Sequence, residues 1–263
     1  MKKQKKLEWK KLGGKIYRSC HQSIFHKNYI YLFLGEEKEE FQFSGTVVQY
    51  NPNTSNLTTI QCSRPIPRRN HVVVKRENFA YMFGGDYERL SDGNGLLKFN
   101  LEKHEWDSIL FEKHEKKPSP RKYHCGCLCK NEVYIFGGEC GPEKQFNDLW
   151  KLDINENWIE MEIKDNLKPK GRRYASIVSY NEYLYLFGGR NDEKRFNDLW
   201  QFNTFNNQWN LIKVNGDIPK PRASQTAIVD QNSMWIYGGN KYSKKKKFFL
   251  LILVVTLRMN YLN

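Results

Sequence analysis

The chain has 263 residues, of which 14% are aromatic, and a formal net charge of +14. Seven Lys against one Glu give residues 1–15 a charge of +6, five Lys and one Arg give residues 241–263 another +6, and the body between them carries only +2. This distribution weighs against a basic surface for nucleic acid. We expect an intracellular, reduced setting and a cytoplasmic location, because no apolar signal segment follows Met1 and the six Cys do not recur at matching positions.

One pattern occurs five times along the chain. Each copy opens with an Arg, and fifteen residues later an aromatic residue ends a short apolar run. The opening residues are Arg18, Arg68, Arg121, Arg172 and Arg222, and the aromatic residues are Phe33, Phe83, Phe136, Phe187 and Tyr237. A period of about 50 residues with a constant internal spacing is typical of stacked copies of one supersecondary unit.

The fourth copy predicts four short strands in each unit. A tight turn at Asn181-Glu182 separates two β-prone runs, and Gly188-Gly189 ends the second of them. The predicted strands are residues 175–180, 183–187, 196–202 and 208–212. Because no stretch has helical periodicity, the sequence predicts an antiparallel meander.

These features together resemble kelch repeats over about residues 9–240. The shared motif is an apolar run ending in Gly-Gly, then a Trp in the third strand and another in the fourth, as at Trp200 and Trp209. The resemblance implies an all-β fold, a kelch-type β-propeller with five recognisable four-stranded blades. The repeat units are placed near residues 13–60, 61–113, 114–165, 166–215 and 216–259.

The predicted propeller comprises residues 7–240, and the sequence departs from the repeat pattern at both ends of the chain. Residues 1–6 are a basic tail, and Trp9, nine residues before Arg18, is interpreted as a fourth-strand Trp. Two alternatives follow: the N-terminal strand closes the ring, or the propeller is truncated from six or more blades. Residues 241–263 combine a Lys run with ten apolar residues, too few to span a bilayer. Their alternatives are a strand with Leu250 in the slot of Trp200, an abnormal tail, or a membrane-surface anchor.

Cys and His residues offer the candidate metal chemistry. Cys125, Cys127 and Cys129 alternate along one predicted strand beside His124. Thiolates two residues apart on an extended strand converge poorly on a tetrahedral ion, so we predict core packing, with no metal, no cofactor and no catalytic residue. Three His residues follow the repeat Arg by three positions and are predicted to form structural hydrogen bonds between neighbouring blades. They are His21, His71 and His124.

The resemblance implies a protein–protein interaction scaffold or substrate-recognition module, as in substrate adaptors of ubiquitin ligases. An adaptor role would need a longer gene product or a separate subunit, because the chain has no room for a BTB or F-box domain. The alternatives are a kelch-propeller enzyme, galactose-oxidase-like or of the lyase type, and a tail-anchored membrane-surface protein; nucleic-acid and membrane partners are not expected.

Two loop sets are the predicted partner-binding residues, because Arg and Tyr are frequent anchors of protein interfaces. The set that enters the first strand is Arg69, Asn70, Lys122, Tyr123, Arg173 and Tyr174. The set that follows Gly-Gly is Asp86, Tyr87, Glu139, Arg190 and Asn191. The first choices are Tyr123, Arg173 and Arg190, whose types vary between copies as a partner-reading position should.

Overall fold

A computed structural model describes residues 17–37, 42–62, 67–87, 95–109, 116–141, 144–163, 167–240 and 252–256. Within these ranges the protein is all-β, with no helix. The strands form antiparallel sheets that follow one another along the chain as blades 1 to 5. The predicted all-β propeller fold is therefore confirmed.

Each blade is a meander whose strands we label A to D. Blade 1 contains Gln22–His26, Tyr29–Glu37, Gln42–Asn51 and Asn56–Ile60. Blade 2 contains Val72–Arg76, Phe79–Phe83, Leu96–Asn100 and Glu105–Ile109. Blade 3 contains Cys125–Cys129, Glu132–Phe136, Leu149–Leu152 and Trp158–Glu160. Blade 4 contains Ser176–Tyr180, Tyr183–Phe187, Leu199–Asn203 and Gln208–Ile212. Blade 5 contains Ala223–Asp230, Ser233–Asn240 and Ile252–Thr256 as strands A to C.

Short two-residue strands flank the blades at the end where strand A begins. Arg18–Ser19 pairs with the end of strand B in blade 1, and Arg68–Arg69 pairs with Asp86–Tyr87 beside blade 2. In blade 3, Glu139–Cys140 pairs with Lys144–Gln145. These pairs fix the loops that carry the candidate binding residues.

The hydrophobic cores lie between consecutive blades. Because side chains alternate along a strand, each blade has two faces, and the apolar faces of consecutive blades pack on one another. Four buried clusters fill the boundaries from blades 1 and 2 to blades 4 and 5. A strand-D Trp contributes to three of them, since Trp106 packs on Phe33, Trp158 on Phe83 and Trp209 on Phe136. The blades are thus held by contacts with their sequence neighbours, as expected of a repeat architecture.

The Gly-Gly doublet is required where one blade meets the loops of the next. Gly137 and Gly138 have φ values of +69° and +89°, a region that favours glycine. A Cβ on Gly137 would lie 2.7 Å from the Arg172 carbonyl oxygen, and one on Gly138 would lie 2.6 Å from that of Lys122. In blade 1, Leu34 takes the slot of the first Gly with φ +50°, and the strand register shifts there.

The C-terminal segment forms a strand over part of its length. Ile252–Thr256 pairs with strand B of blade 5, as the strand alternative predicted. Leu253, rather than Leu250, takes the backbone position of Trp200, because the connection is three residues longer than in blade 4. In the described part of the chain, no helix is long and apolar enough to cross a membrane. The N-terminal tail and Trp9 lie outside the described residues.

Candidate interaction surface

The two predicted loop sets meet in pairs at one end of the propeller. Arg69 pairs with Asp86 across the short strands of blade 2. Lys122 pairs with Glu139 in blade 3, and Arg173 with Arg190 in blade 4, each through two backbone hydrogen bonds of 2.9–3.0 Å. The loop that enters strand A and the loop that leaves strand B therefore form one surface in each of these blades.

A ring of five residues connects these loops from blade to blade. We call it the mouth ring, and its members are Cys20, Asn70, Tyr123, Tyr174 and Ser224. Each lies two residues after a repeat Arg and has a left-handed φ between 55° and 62°. In each of four steps, the amide of one member donates to the carbonyl of the preceding member, at 2.9–3.2 Å. A left-handed residue other than Gly costs about 1–3 kcal/mol, so this repeated hydrogen bond supports an otherwise disfavoured backbone.

Ion pairs also run from blade to blade around the mouth ring. Arg69 contacts Glu36 of blade 1 at 2.8 Å, and Lys122 contacts Asp86 of blade 2 at 2.9 Å. Arg173 makes a short contact with Glu139 of blade 3 and another with Asp192 at 2.9 Å. In each case a cation one residue after the repeat Arg meets a carboxylate just after the second Gly of the preceding blade. These ion pairs therefore hold neighbouring blades together, and the charges that form them already have partners within the protein.

Arg190 breaks this series. It occupies the slot that holds an acid in the three preceding blades, and the next blade has Ala223 where a cation would stand. Among the described residues, no carboxylate forms an ion pair with Arg190. Its guanidinium lies 5.5 Å from the ring centroid of Tyr174, which contacts Tyr123 with a centroid distance of 4.2 Å. Burial raises the pKa of the Tyr174 hydroxyl, as does its hydrogen bond with Tyr123.

The remaining predicted residues have local roles. Asn70 donates to Asp86 at 3.1 Å. The Asn191 side chain accepts the amide hydrogens of Glu193 and Lys194, at 3.1 and 2.8 Å, and so shapes its own turn. The side chain of Tyr87 lies outside the described part of the structure. Glu36 was missed, although it has the same repeat position as Asp86 and could have been found from it.

The repeat Arg residues face inward and brace the loops. Arg172 donates to the Gly188 carbonyl at 3.0 Å and binds both carboxylate oxygens of Asp198, at 2.7 and 2.9 Å. Asp198 also accepts from the Trp200 indole at 2.7 Å, and Arg121 makes the same bidentate contact with Asp148. Planar bidentate pairing is the geometry that Arg favours, so these residues are structural.

Two of the repeat His residues, His71 and His124, lie between neighbouring blades. His71 and His124 are buried, and neither imidazole has a hydrogen-bond partner within normal geometry. Burial lowers the pKa of His71 to about 3, with Arg68 acting in the same direction and the Phe33 carbonyl against it. The His124 ring also packs against Gly84 of the preceding blade, where an added Cβ would lie 2.7 Å from the imidazole. His71 and His124 therefore contact neighbouring blades by packing, and the predicted hydrogen bonds between blades are not formed by their imidazoles.

The three alternating Cys residues pack into the core between blades 3 and 4. Cys125 and Cys129 are buried there, and Cys127 packs against the same cluster. Burial raises the pKa of Cys125 to about 12 and of Cys129 to about 11. Thiols with such pKa values are protonated at neutral pH, so they are poor nucleophiles. In the described ranges, no group of three His, Cys, Asp or Glu has the arrangement of a metal site.

The chain is similar to several proteins of one repeat family. The family profile described as the KLHDC2/KLHL20/DRC7 Kelch-repeats domain matches residues 20–239. Kelch domain-containing protein 3 from Rattus norvegicus is 27% identical over 247 residues, covering 87% of this chain and 63% of that protein. Kelch repeat-containing protein 2 from Saccharomyces cerevisiae is 26% identical over 220 residues, covering 74% and 25%.

Tip elongation aberrant protein 1 from Schizosaccharomyces pombe is 26% identical over 215 residues, covering 78% of this chain and 18% of that protein. The chain thus spans less than two thirds of the length of each of these relatives. The profile match nevertheless covers blades 1 to 4 and strands A and B of blade 5 as far as Gly239, and the repeated Arg, Gly-Gly and Trp residues have the structural roles described above. The chain belongs to the kelch-repeat family.

Proposed function

We propose that this chain is a protein–protein interaction module that binds its partner at the end of the propeller that carries the mouth ring. The membership of the kelch-repeat family supports a protein-interaction role, and the finer assignment is a scaffold or a substrate-recognition part, of a ubiquitin ligase for example. The inferred role is non-enzymatic. The six thiols are all free, which suits the cytoplasmic setting that we propose.

The proposal rests on the environment of the Arg190 side chain. The other cations of the two loop sets form ion pairs with carboxylates of neighbouring blades, whereas the Arg190 guanidinium lies over an aromatic face and forms no ion pair among the described residues. Beside it, Tyr123 and Tyr174 form a continuous aromatic surface. Arg and Tyr next to one another are the residue types that dominate interface energetics. The proposed contact centre is therefore Arg190 with the two Tyr residues, and Arg173 is assigned to holding blades 3 and 4 together.

The test begins with capture of partners on the immobilised 263-residue chain. Arg190→Glu places in blade 4 the acid type that three other blades carry, so we expect it to fold and to lose partner binding. Removing an interface anchor of this kind often costs about 2 kcal/mol, roughly a thirtyfold loss of affinity. Lys213→Glu is the matched control, because it changes the net charge equally at an exposed position outside the mouth ring.

The contribution of the basic tails is tested separately. Removing residues 241–263 would also remove the strand Ile252–Thr256, so the four Lys at 244–247 are instead changed to Gln. We expect that variant, and one without residues 1–6, to bind normally. Normal binding by Arg190→Glu together with loss of binding in the tail variants would contradict the proposal and assign the contact to the tails.

A further inference from the structure

The outer edges of neighbouring blades form a groove at each boundary. Strands A of successive blades contact one another, so each strand D lies at the outer edge of its sheet. Three repeat positions line the groove between two such edges. The first is the residue after the strand-D Trp of one blade, and the second is two residues after the strand-D Trp of the next blade. The third is five residues before the repeat Arg of that next blade.

Charged residues occupy all three positions at the boundary between blades 2 and 3, where they are Asp107, Glu160 and Lys116. Lys116 pairs with Glu160 at 3.0 Å, and its ammonium lies 6.0 Å from the ring centroid of Trp150. The side chains of the protein itself therefore bridge this groove. The counterparts at the boundary between blades 1 and 2 are also polar, and they are Thr58, Ser108 and Ser63.

Aliphatic residues occupy all three positions between blades 3 and 4. Ile159 is 42% exposed, Leu167 is 52% exposed and Leu211 is 51% exposed. Ile159 lies in one cross-strand row with Tyr134, and Leu211 lies in one row with Trp200. Because Tyr134 and Trp200 belong to the core between these blades, Ile159 and Leu211 extend that core outward to the surface. An exposed apolar surface in place of bridging charges is typical of an interaction site.

Two Lys residues flank these aliphatic side chains. Lys168 follows Leu167 directly, and Lys213 lies two residues after Leu211, on the same side of the extended chain. Both Lys residues are exposed, and neither forms an ion pair within the described ranges. Glu162 faces away, because the residues on either side of it pack into the core between blades 3 and 4. The rim of the groove is therefore positively charged, and a carboxylate on an occupant would complement it.

We propose that the groove formed by Ile159, Leu167 and Leu211 binds an extended segment of a partner protein, with aliphatic residues in alternation and an acidic residue beside them. Packed sheets lie about 10 Å apart, whereas a helix with its side chains is about 10–12 Å across. The space between two outer strands therefore suits the alternate side chains of an extended segment. This site is separate from the mouth ring, and the proposal goes beyond the proposed function and is independent of it.

Selection of displayed random peptides on the immobilised 263-residue chain supplies the probe. The test variant combines Ile159→Asp, Leu167→Lys and Leu211→Glu, and so copies the charged side chains between blades 2 and 3. We expect the selected peptides to combine alternating aliphatic residues with Asp or Glu. Their affinity should fall by about tenfold or more on the triple variant. Leu211→Ser, which copies Ser108 of blade 2, is a milder second variant and should weaken binding in the same direction if the triple variant does not fold.

Two charge variants separate this groove from the mouth ring. Arg190→Glu should leave the affinity of the selected peptides unchanged, whereas Lys213→Glu should reduce it, and more so at low salt. Peptides without an acidic residue, or a selection that yields no peptide sensitive to Leu211→Ser, would overturn the proposal. A dimer of the native chain in sedimentation velocity that Leu211→Ser dissociates would also overturn it, because a second copy would then occupy the groove.

Discussion

Substitution of the first glycine of the doublet tests how closely two neighbouring blades approach each other. Gly137 has φ +69°, and an added Cβ would lie 2.7 Å from the Arg172 carbonyl oxygen of the next blade. That oxygen also accepts the Gly138 amide hydrogen at 2.9 Å, so it cannot move away without weakening this bond. Gly137→Ala is the test substitution. Gly141→Ala is its matched control, because Gly141 has φ +71° and nothing within 4 Å of its Cβ position.

The loss of stability in Gly137→Ala has two sources, which are the left-handed backbone conformation and the crowding at the boundary with the next blade. Both substitutions place Ala in the left-handed region, which costs about 1–2 kcal/mol. Only Gly137→Ala also overpacks a closed boundary, which typically costs about 1–3 kcal/mol. It also weakens a hydrogen bond worth about 1 kcal/mol. We therefore expect the free energy of unfolding to fall by about 2–4 kcal/mol more for Gly137→Ala than for Gly141→Ala.

Urea unfolding followed by Trp fluorescence measures the difference, with extrapolation to zero denaturant. Gly238→Ala is an informative third variant, because Gly238 has the same repeat position as Gly137 but an open Cβ site. It should behave like the control. If all three variants lost similar stability, the cost would come from backbone conformation alone, and the argument from blade approach would be refuted.

Two further outcomes are expected. Burial lowers the pKa of His71 to about 3 and also lowers the pKa of His124, so both residues bind protons more readily in the unfolded state. Their contribution to stability is therefore complete above the ordinary His pKa of about 6.5 and is lost as the pH falls below it, for His71 toward about 3. Each His should contribute about 1.4 kcal/mol per pH unit in this window, and His124→Gln, which copies Gln225 of blade 5, should make the urea-unfolding profile less steep between pH 6.5 and 5. Unaltered slopes would contradict this. Iodoacetamide should label the exposed thiols of Cys20 and Cys140 quickly and Cys125 only on unfolding, because Cys125 is buried and burial raises its pKa to about 12; rapid labelling of Cys125 in the native protein would show that the core between blades 3 and 4 is open.

The repeat pattern predicted the fold because each structural need recurs in each blade. The first Gly of the doublet is needed because a Cβ there would strike the next blade, and the second because a Cβ would strike the entry loop of its own blade. The strand-D Trp is needed to cover an aromatic residue at the blade boundary. Requirements of this kind leave a residue type at a constant spacing. In blade 1, where Leu34 takes the slot of the first Gly, the local register also changes. The sequence alone was therefore sufficient for the all-β fold and its repeated antiparallel sheets, but not for each strand boundary, since the third strand of blade 4 is Leu199–Asn203 rather than residues 196–202.

The candidate surface was less predictable, because an ion pair between blades depends on the spatial neighbour of each slot. Arg173 and Arg190 look alike in the sequence, and both were first choices for binding. The structure separates them: Arg173 forms ion pairs with Glu139 and Asp192, whereas within the described ranges the Arg190 guanidinium lies over the Tyr174 ring and pairs with no carboxylate. The repeat alignment shows which slot each residue occupies, but the pairing of slots across a boundary requires the three-dimensional arrangement.

The same comparison explains why blade 4 differs from blades 2 and 3 at the mouth ring. In those blades, the acid after the doublet is matched by a cation from the next blade, so the boundary is neutral and closed. At the next boundary, the acid is replaced by Arg190 and the cation by Ala223. Replacing both partners removes the attraction without leaving a repulsive pair, so the boundary can remain packed while one guanidinium stays available. Such a replacement leaves a guanidinium beside two aromatic rings with no ion pair in the described part of the chain, which is the pattern expected if, as we propose, a partner supplies the counter-charge.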